Sequence, residues 1–166
     1  MRIIKYLTTI ILSTYLFSCA SLQPALQPAT SIKNDAIQNY KYLYISPTNS
    51  LTSSSGATIN GLYYSSSKSV NPADVISGIL SKEGFIKIPE QKPELTDQTI
   101  IVNYGESGKR KTGLGGYTIE VTIQFISAKS NNLVCSCTAE GQGETEADDI
   151  RQAITRCLNE IVTKRN

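Results

Sequence analysis

The chain has 166 residues and contains no histidine and no tryptophan. Without histidine there is no Ser-His-Asp triad, no Cys-His dyad, no imidazole metal ligand and no histidine general base. Any chemistry would fall to carboxylates, hydroxyls, thiols or lysines. A strong charge surplus is missing too: Lys plus Arg number 16 and Asp plus Glu 14. Nucleic-acid binders carry a marked basic excess, so that class is excluded. Charged residues make up only 18% and apolar residues 40%, a balance that fits neither a disordered chain nor a polytopic membrane protein. No apolar run reaches the roughly 20 residues that a bilayer-spanning helix needs.

The longest apolar run is Tyr6 to Phe17, preceded by Arg2 and Lys5. A short positive segment followed by about a dozen mostly apolar residues is the pattern of an export signal. The run ends in Leu16-Phe17-Ser18-Cys19. These four residues resemble the lipobox of bacterial lipoproteins. The resemblance implies that residues 1–18 are a signal peptide and that acylated Cys19 begins the mature protein. Arg2 and Lys5 would leave with the signal, so basic and acidic residues then balance at 14 each. Ala20 follows the cysteine where many inner-membrane lipoproteins carry Asp, and residues 20–24 contain no acidic run. By the same resemblance the expected location is the bacterial outer membrane, with the domain facing the periplasm. The first partner implied is the lipid bilayer, held through Cys19.

Residues 19–39 read as the acylated cysteine and a flexible tether. They carry a tandem Leu-Gln-Pro-Ala, with Pro24 and Pro28 interrupting regular hydrogen bonding. A flexible segment of this length reaches roughly 25 Å. Residues 40–166 then read as one α+β domain. Lys41 to Ile45 reads as a strand, Thr48 to Ser55 as a loop, and Thr58 to Ser65 as a weak strand with a bulge at Gly61. Asn71-Pro72-Ala73-Asp74 is a helix start, with a cap, proline in the first turn and an acid near the positive end. Val75, Ile76, Ile79 and Leu80 follow on one face, and Gly84 stops the helix. Phe85 to Ile88 and Thr99 to Tyr104 read as strands. Tyr117, Ile119, Val121, Ile123 and Phe125 alternate with polar residues, which predicts a sheet with one wet face. Leu133, Cys135, Cys137 and Ala139 form the inward face of its partner strand. Thr145 and Asp148 give a capping-box start, and Ala147, Ile150, Ile154, Cys157, Leu158 and Ile161 make one apolar stripe. The expected architecture is a mostly antiparallel sheet of five to six strands with two helices packed on one face.

Several side-chain groups stand out. Gly105 to Gly113, with Lys109, Arg110 and Lys111, superficially suggests a phosphate loop. Only two residues separate its first glycine from Gly108-Lys109, where four are required, so no nucleotide is expected. Its three charges read as a solvated hairpin loop that offers an anion or partner contact. Cys157, on the final helix, is positioned to bond either Cys135 or Cys137, and an exported domain permits that oxidation. Three thiols without histidine do not make a zinc site, and no cofactor or metal is expected. Tyr40, Tyr42 and Tyr44 recur on one side of a strand and offer a binding face, with Tyr63 and Tyr64 placed near them. Glu144, Glu146, Asp148 and Asp149 complement a helix dipole.

Asn132 to Gly141, followed by Ile150 to Ile161, resembles the final strand and helix of small outer-membrane lipoproteins of unknown function. Some of these are similar in layout to auxiliary lipoproteins of envelope transport systems. The resemblance implies a non-enzymatic binding or accessory module for an envelope protein complex or polymer. The alternatives are a carboxylate-based glycan-processing enzyme, which needs two facing acids in a pocket, and a small-ligand or lipid carrier, which needs an internal apolar cavity.

Overall fold

A computed structural model describes residues 25–112 and 116–162. Residues 1–18, Cys19 and the basic residues Lys164 and Arg165 lie outside the described residues. The elements run β1 (Thr30–Lys33), β2 (Tyr42–Ile45), β3 (Leu51–Ile59), β4 (Leu62–Val70), α1 (Pro72–Lys82), β5 (Ile86–Lys87), β6 (Thr99–Lys111), β7 (Tyr117–Ser127), β8 (Leu133–Gly141) and α2 (Glu146–Val162). Six strands form one sheet in the order β1-β8-β7-β6-β2-β5, and β3 and β4 form a separate ribbon. The fold is α+β. Pairing is antiparallel from β1 through β6, while β2 runs parallel to both β5 and β6. The parallel edge arises because α1 carries the chain back before β5 begins, and a parallel partner requires such a crossover.

The core lies between the helices and one sheet face. Alternation along β7 sends Ile119, Val121, Ile123 and Phe125 inward, all fully buried. Their partners Cys137 and Cys135 face the same way from β8. Ile150, Ile154, Cys157 and Leu158 come down onto them from α2, and Ile76 and Leu80 from α1. Both helix starts are as expected. The Asn71 side chain accepts from the Ala73 amide at 3.0 Å, and Thr145 Oγ1 accepts from the Asp148 amide at 3.3 Å while donating to its carboxylate at 3.0 Å. Gly84 has a φ of 91°, the left-handed conformation a helix stop requires.

Four expectations need correction. The tether does not extend to residue 39, because Thr30–Lys33 pairs with β8 and Ile37–Asn39 forms a 3-10 turn whose Ile37 is buried. The Thr48 to Ser55 stretch is not all loop, since Leu51 begins a nine-residue strand. Gly61 is no bulge. Asn60 and Gly61 have φ of 51° and 78° and connect β3 directly to β4, as a two-residue hairpin with both central residues left-handed. The basic triplet is not in a loop: β6 continues through Lys111, with Lys109, Arg110 and Lys111 opposite Ile119, Thr118 and Tyr117. One smaller difference is Leu133. The register shifts between Phe125 and Ile126, so Leu133 faces outward and Val134 is buried instead.

Candidate functional site: the outer face of the sheet

The face opposite the helices is organised in rows, because side chains two apart share a face and the register aligns them across strands. Tyr44, Ile101, Ile126 and Leu133 are successive partners on β2, β6, β7 and β8, and each is half-buried. They make a continuous apolar stripe about 14 Å across, from three strand spacings of ~4.8 Å. Tyr42 and the exposed Ile86 continue it toward the β5 edge. The next row holds Asn103, Gln124, Ser136 and Ile32, the last 60% exposed. Ser46 Oγ reaches Asn103 Oδ1 at 2.7 Å. Beyond it lie Thr122, Thr138 and Thr30, with the two threonine hydroxyls Thr122 and Thr138 at 2.8 Å. Thr122 also donates to Ser107 Oγ at 3.1 Å, and Ser107 to Glu120 at 2.8 Å.

The far row is ionic. Arg110 grips Glu140 with two bonds of 2.7 Å, and the Gln27 amide donates to the same carboxylate at 2.9 Å. The Arg110 bonds hold the Glu140 pKa down at about 2. Glu140 stands directly opposite Glu120 on β7, the one cross-strand pair of acids on this face among the described residues. Glu140 is buried, and both of its carboxylate oxygens are taken by Arg110, so it is held ionised in a structural pair.

The structure divides the basic triplet. Arg110 serves Glu140, and Lys109 bonds Glu146 at 2.7 Å while lying 5.2 Å from the Tyr117 ring centroid. Lys111 is exposed, at a depression of about 560 Å³ that it shares with Lys109, Thr112, Gly116 and Tyr117. The tyrosines are divided as well. Tyr42 and Tyr44 lie on the outer face, but Tyr40 precedes β2 and packs against the core. Tyr63 and Tyr64 belong to the separate β3–β4 ribbon. Among the cysteines, Cys137 is bonded to Cys157, with Cα atoms 5.4 Å apart. Cys135 is a free, buried thiol, and burial pushes its pKa up to about 11. The acids at the start of α2 are put to structural use. Asp148 is bound by Lys68 at 2.8 Å, and Asp149 accepts from the Gly143 amide. Burial raises the Asp149 pKa.

No family model and no curated protein sequence matches the chain. Solved structures of similar fold include two. One is the PelC dodecamer from Paraburkholderia phytofirmans, at 14% identity and a TM-score of 0.49, covering 82% of this chain and 97% of that one. The other is a single-substitution variant of the PelC dodecamer from the same organism, at 14% identity and a TM-score of 0.47, covering 81% and 93%. The similarity is one of overall fold.

Sequence reasoning predicted a wet face and placed Tyr42 and Tyr44 on a binding face, but missed the rows that run across the strands. The signal was present as Thr118, Glu120, Thr122 and Gln124 alternating with the core residues of β7. The apolar stripe could not be read, because its members come from four strands separated in sequence.

Proposed function

We propose that this chain is a lipid-anchored accessory module of the bacterial cell envelope, binding a partner protein or polymer across the outer face of its sheet. The observation that carries the reading is the in-register stripe Tyr44, Ile101, Ile126 and Leu133 beside rows of hydroxyls and amides. A flat apolar stripe flanked by neutral donors and acceptors suits an extended surface or chain laid across it. It does not resemble the concave, enclosing site that a small ligand occupies. The anchor rests on the lipobox Leu16-Phe17-Ser18-Cys19, and with it the outer-membrane location and the periplasmic orientation. Neither nucleic acid nor nucleotide is part of the reading.

A photo-crosslinking residue at position 126, introduced into the full chain in intact cells, tests the face. A discrete adduct that disappears with Leu133→Glu supports the reading. A chain that folds and reaches the membrane yet gives no adduct beyond that of a crosslinker at exposed Ser130 refutes it. Cys19→Ala tests the anchor separately: incorporation of a fatty-acid probe should vanish, and its persistence would refute acylation at Cys19.

A further inference from the structure

The β3–β4 ribbon has no place in the proposed face. Its base is fixed to the start of α2. Ser53 Oγ accepts from the Ala147 amide at 2.9 Å, Lys68 bonds Asp148 at 2.8 Å, and Arg151 donates to the Ser69 carbonyl at 3.3 Å. Successive contacts, from Arg151 back to Ala147, run toward the N-terminus of α2, and the ribbon continues in that direction. From Ser53 to Ile59 is six residues, about 20 Å of strand. The segment from Thr52 to Ser67 contains no charged residue. Its tip bears Ile59, Leu62, Tyr63 and Tyr64, which are 57%, 62%, 72% and 57% exposed. Most of the large exposed apolar side chains of the described residues are gathered there.

The N-terminal segment leaves from the same end. β1 runs antiparallel to β8, with Thr30 opposite Thr138. Going back from Thr30, the chain passes Glu140, where the Gln27 amide donates to its carboxylate, and Arg156 donates to the Gln27 carbonyl. It is therefore heading toward the Gly141 end of β8, where α2 begins. Five residues lie between Cys19 and Ala25, so the six steps span at most about 20 Å when extended. The described N-terminal residues and the ribbon thus point toward the same end of the molecule, and the segment back to Cys19 is long enough to reach a surface met by the tip.

From these observations we infer that the β3–β4 tip is a membrane-contact element, seated in the interfacial zone of the bilayer that holds Cys19. This rests on the anchoring reading above. Tyrosine and aliphatic side chains at a tip are suited to the headgroup boundary, where an apolar body meets a polar end. The absence of charge over Thr52 to Ser67 removes the cost of bringing ionised groups to that boundary. Exposed Lys111 sits at the same end of the molecule, positioned toward anionic headgroups. Two contacts, one covalent and one from the ribbon, would fix how the sheet face is presented to the periplasm.

The chain is free of tryptophan, so Leu62→Trp gives a single reporter. The full chain is purified from membranes with its native lipid and reconstituted into phosphatidylethanolamine–phosphatidylglycerol vesicles carrying brominated tails. Ser130→Trp, in the turn at the opposite end, is the control. Quenching of the Leu62→Trp emission should exceed that of Ser130→Trp about twofold or more, with a shift to the blue. Equal quenching of the two would overturn the proposal. So would a blue shift that arises without lipid and grows with protein concentration, which would assign the tip to a second copy of the chain through its open strand edges. Vesicle flotation scores the anchor independently. If the unsubstituted chain does not float, the anchoring reading fails, and the Leu62→Trp chain mixed with excess brominated vesicles still reports on the ribbon.

Discussion

Reducing the Cys137–Cys157 bridge perturbs one term while leaving both buried sulfurs in place. The bonded residues are 20 apart. Closing a loop of that length in the unfolded chain is worth about 3 kcal/mol by the chain-entropy relation. For a domain of this size that corresponds to roughly 10 °C in Tm, or a drop of about 2 M in the urea midpoint at a slope near 1.5 kcal/mol/M. The assay is reversible urea unfolding of oxidised and reduced protein at neutral pH, with the linkage assigned by peptide mass spectrometry. Cys135 is the internal check. It shares the inward face of β8 with Cys137, but a pKa of about 11 leaves only about one thiolate in 10⁴ at pH 7. The bridge should therefore not migrate, and Cys135 should resist alkylation until the domain unfolds. A Cys135–Cys157 peptide, or a stability loss on reduction below about 1 kcal/mol, would refute this reasoning.

Arg110→Ala should lower the urea midpoint clearly, because it strands the buried Glu140 carboxylate without its cation; an unchanged midpoint would contradict the pairing. Since the folded pKa of Glu140 is depressed, its contribution to stability is complete above about 4.5 and fades as pH falls toward about 2; Glu140→Gln should flatten that part of the pH–stability curve. Gly141→Ala should destabilise by about 3 kcal/mol, since a Cβ there would lie 1.8 Å from the Asp149 carbonyl oxygen and 2.8 Å from the Ala153 nitrogen; an unchanged Tm would contradict the close approach of β8 to α2. Gly61→Val should cost about 1–2 kcal/mol locally, because a β-branched residue resists φ near 78°. Amide hydrogen exchange should quicken in β3 and β4 and stay unchanged in β7 and β8.

What was legible in the sequence follows from where one face of an element is buried. α1, β7 and α2 each put one side into the core, so Ile76 and Leu80, Ile119 to Phe125, and Ile150 to Leu158 recur at the period of their element. β3 and β4 have little core to meet beyond their base. Ser53 to Ser55 and Ser65 to Ser67 therefore carry no hydrophobic alternation, and the first half of the strand, Leu51 to Ser55, reads as a loop. Its one local mark was Asn60-Gly61, the residue pair suited to a tight hairpin. β1 gave no signal because Thr30–Lys33 is a short edge strand with only Ser31 partly buried. Cysteine spacing placed Cys135 and Cys137 on one face but could not choose between them. The choice was made by the height at which α2 crosses β8.

The way the chain enters the domain has a mechanical consequence. β1 departs along its own axis, and its ladder to β8 lies across that axis, as antiparallel hydrogen bonds do. A pull on the N-terminus in that direction loads the whole ladder in shear, so its bonds resist together and cannot be unzipped one at a time. Two further clasps share the load. Lys33 Nζ holds the Glu160 and Ile161 carbonyls at 3.2 Å each, and Arg156 bridges the carbonyls of Gln27 and Glu140. The strand that closes the sheet's edge would thus also be the fitting through which force from the proposed anchor enters the fold, spread over β8 and the second half of α2.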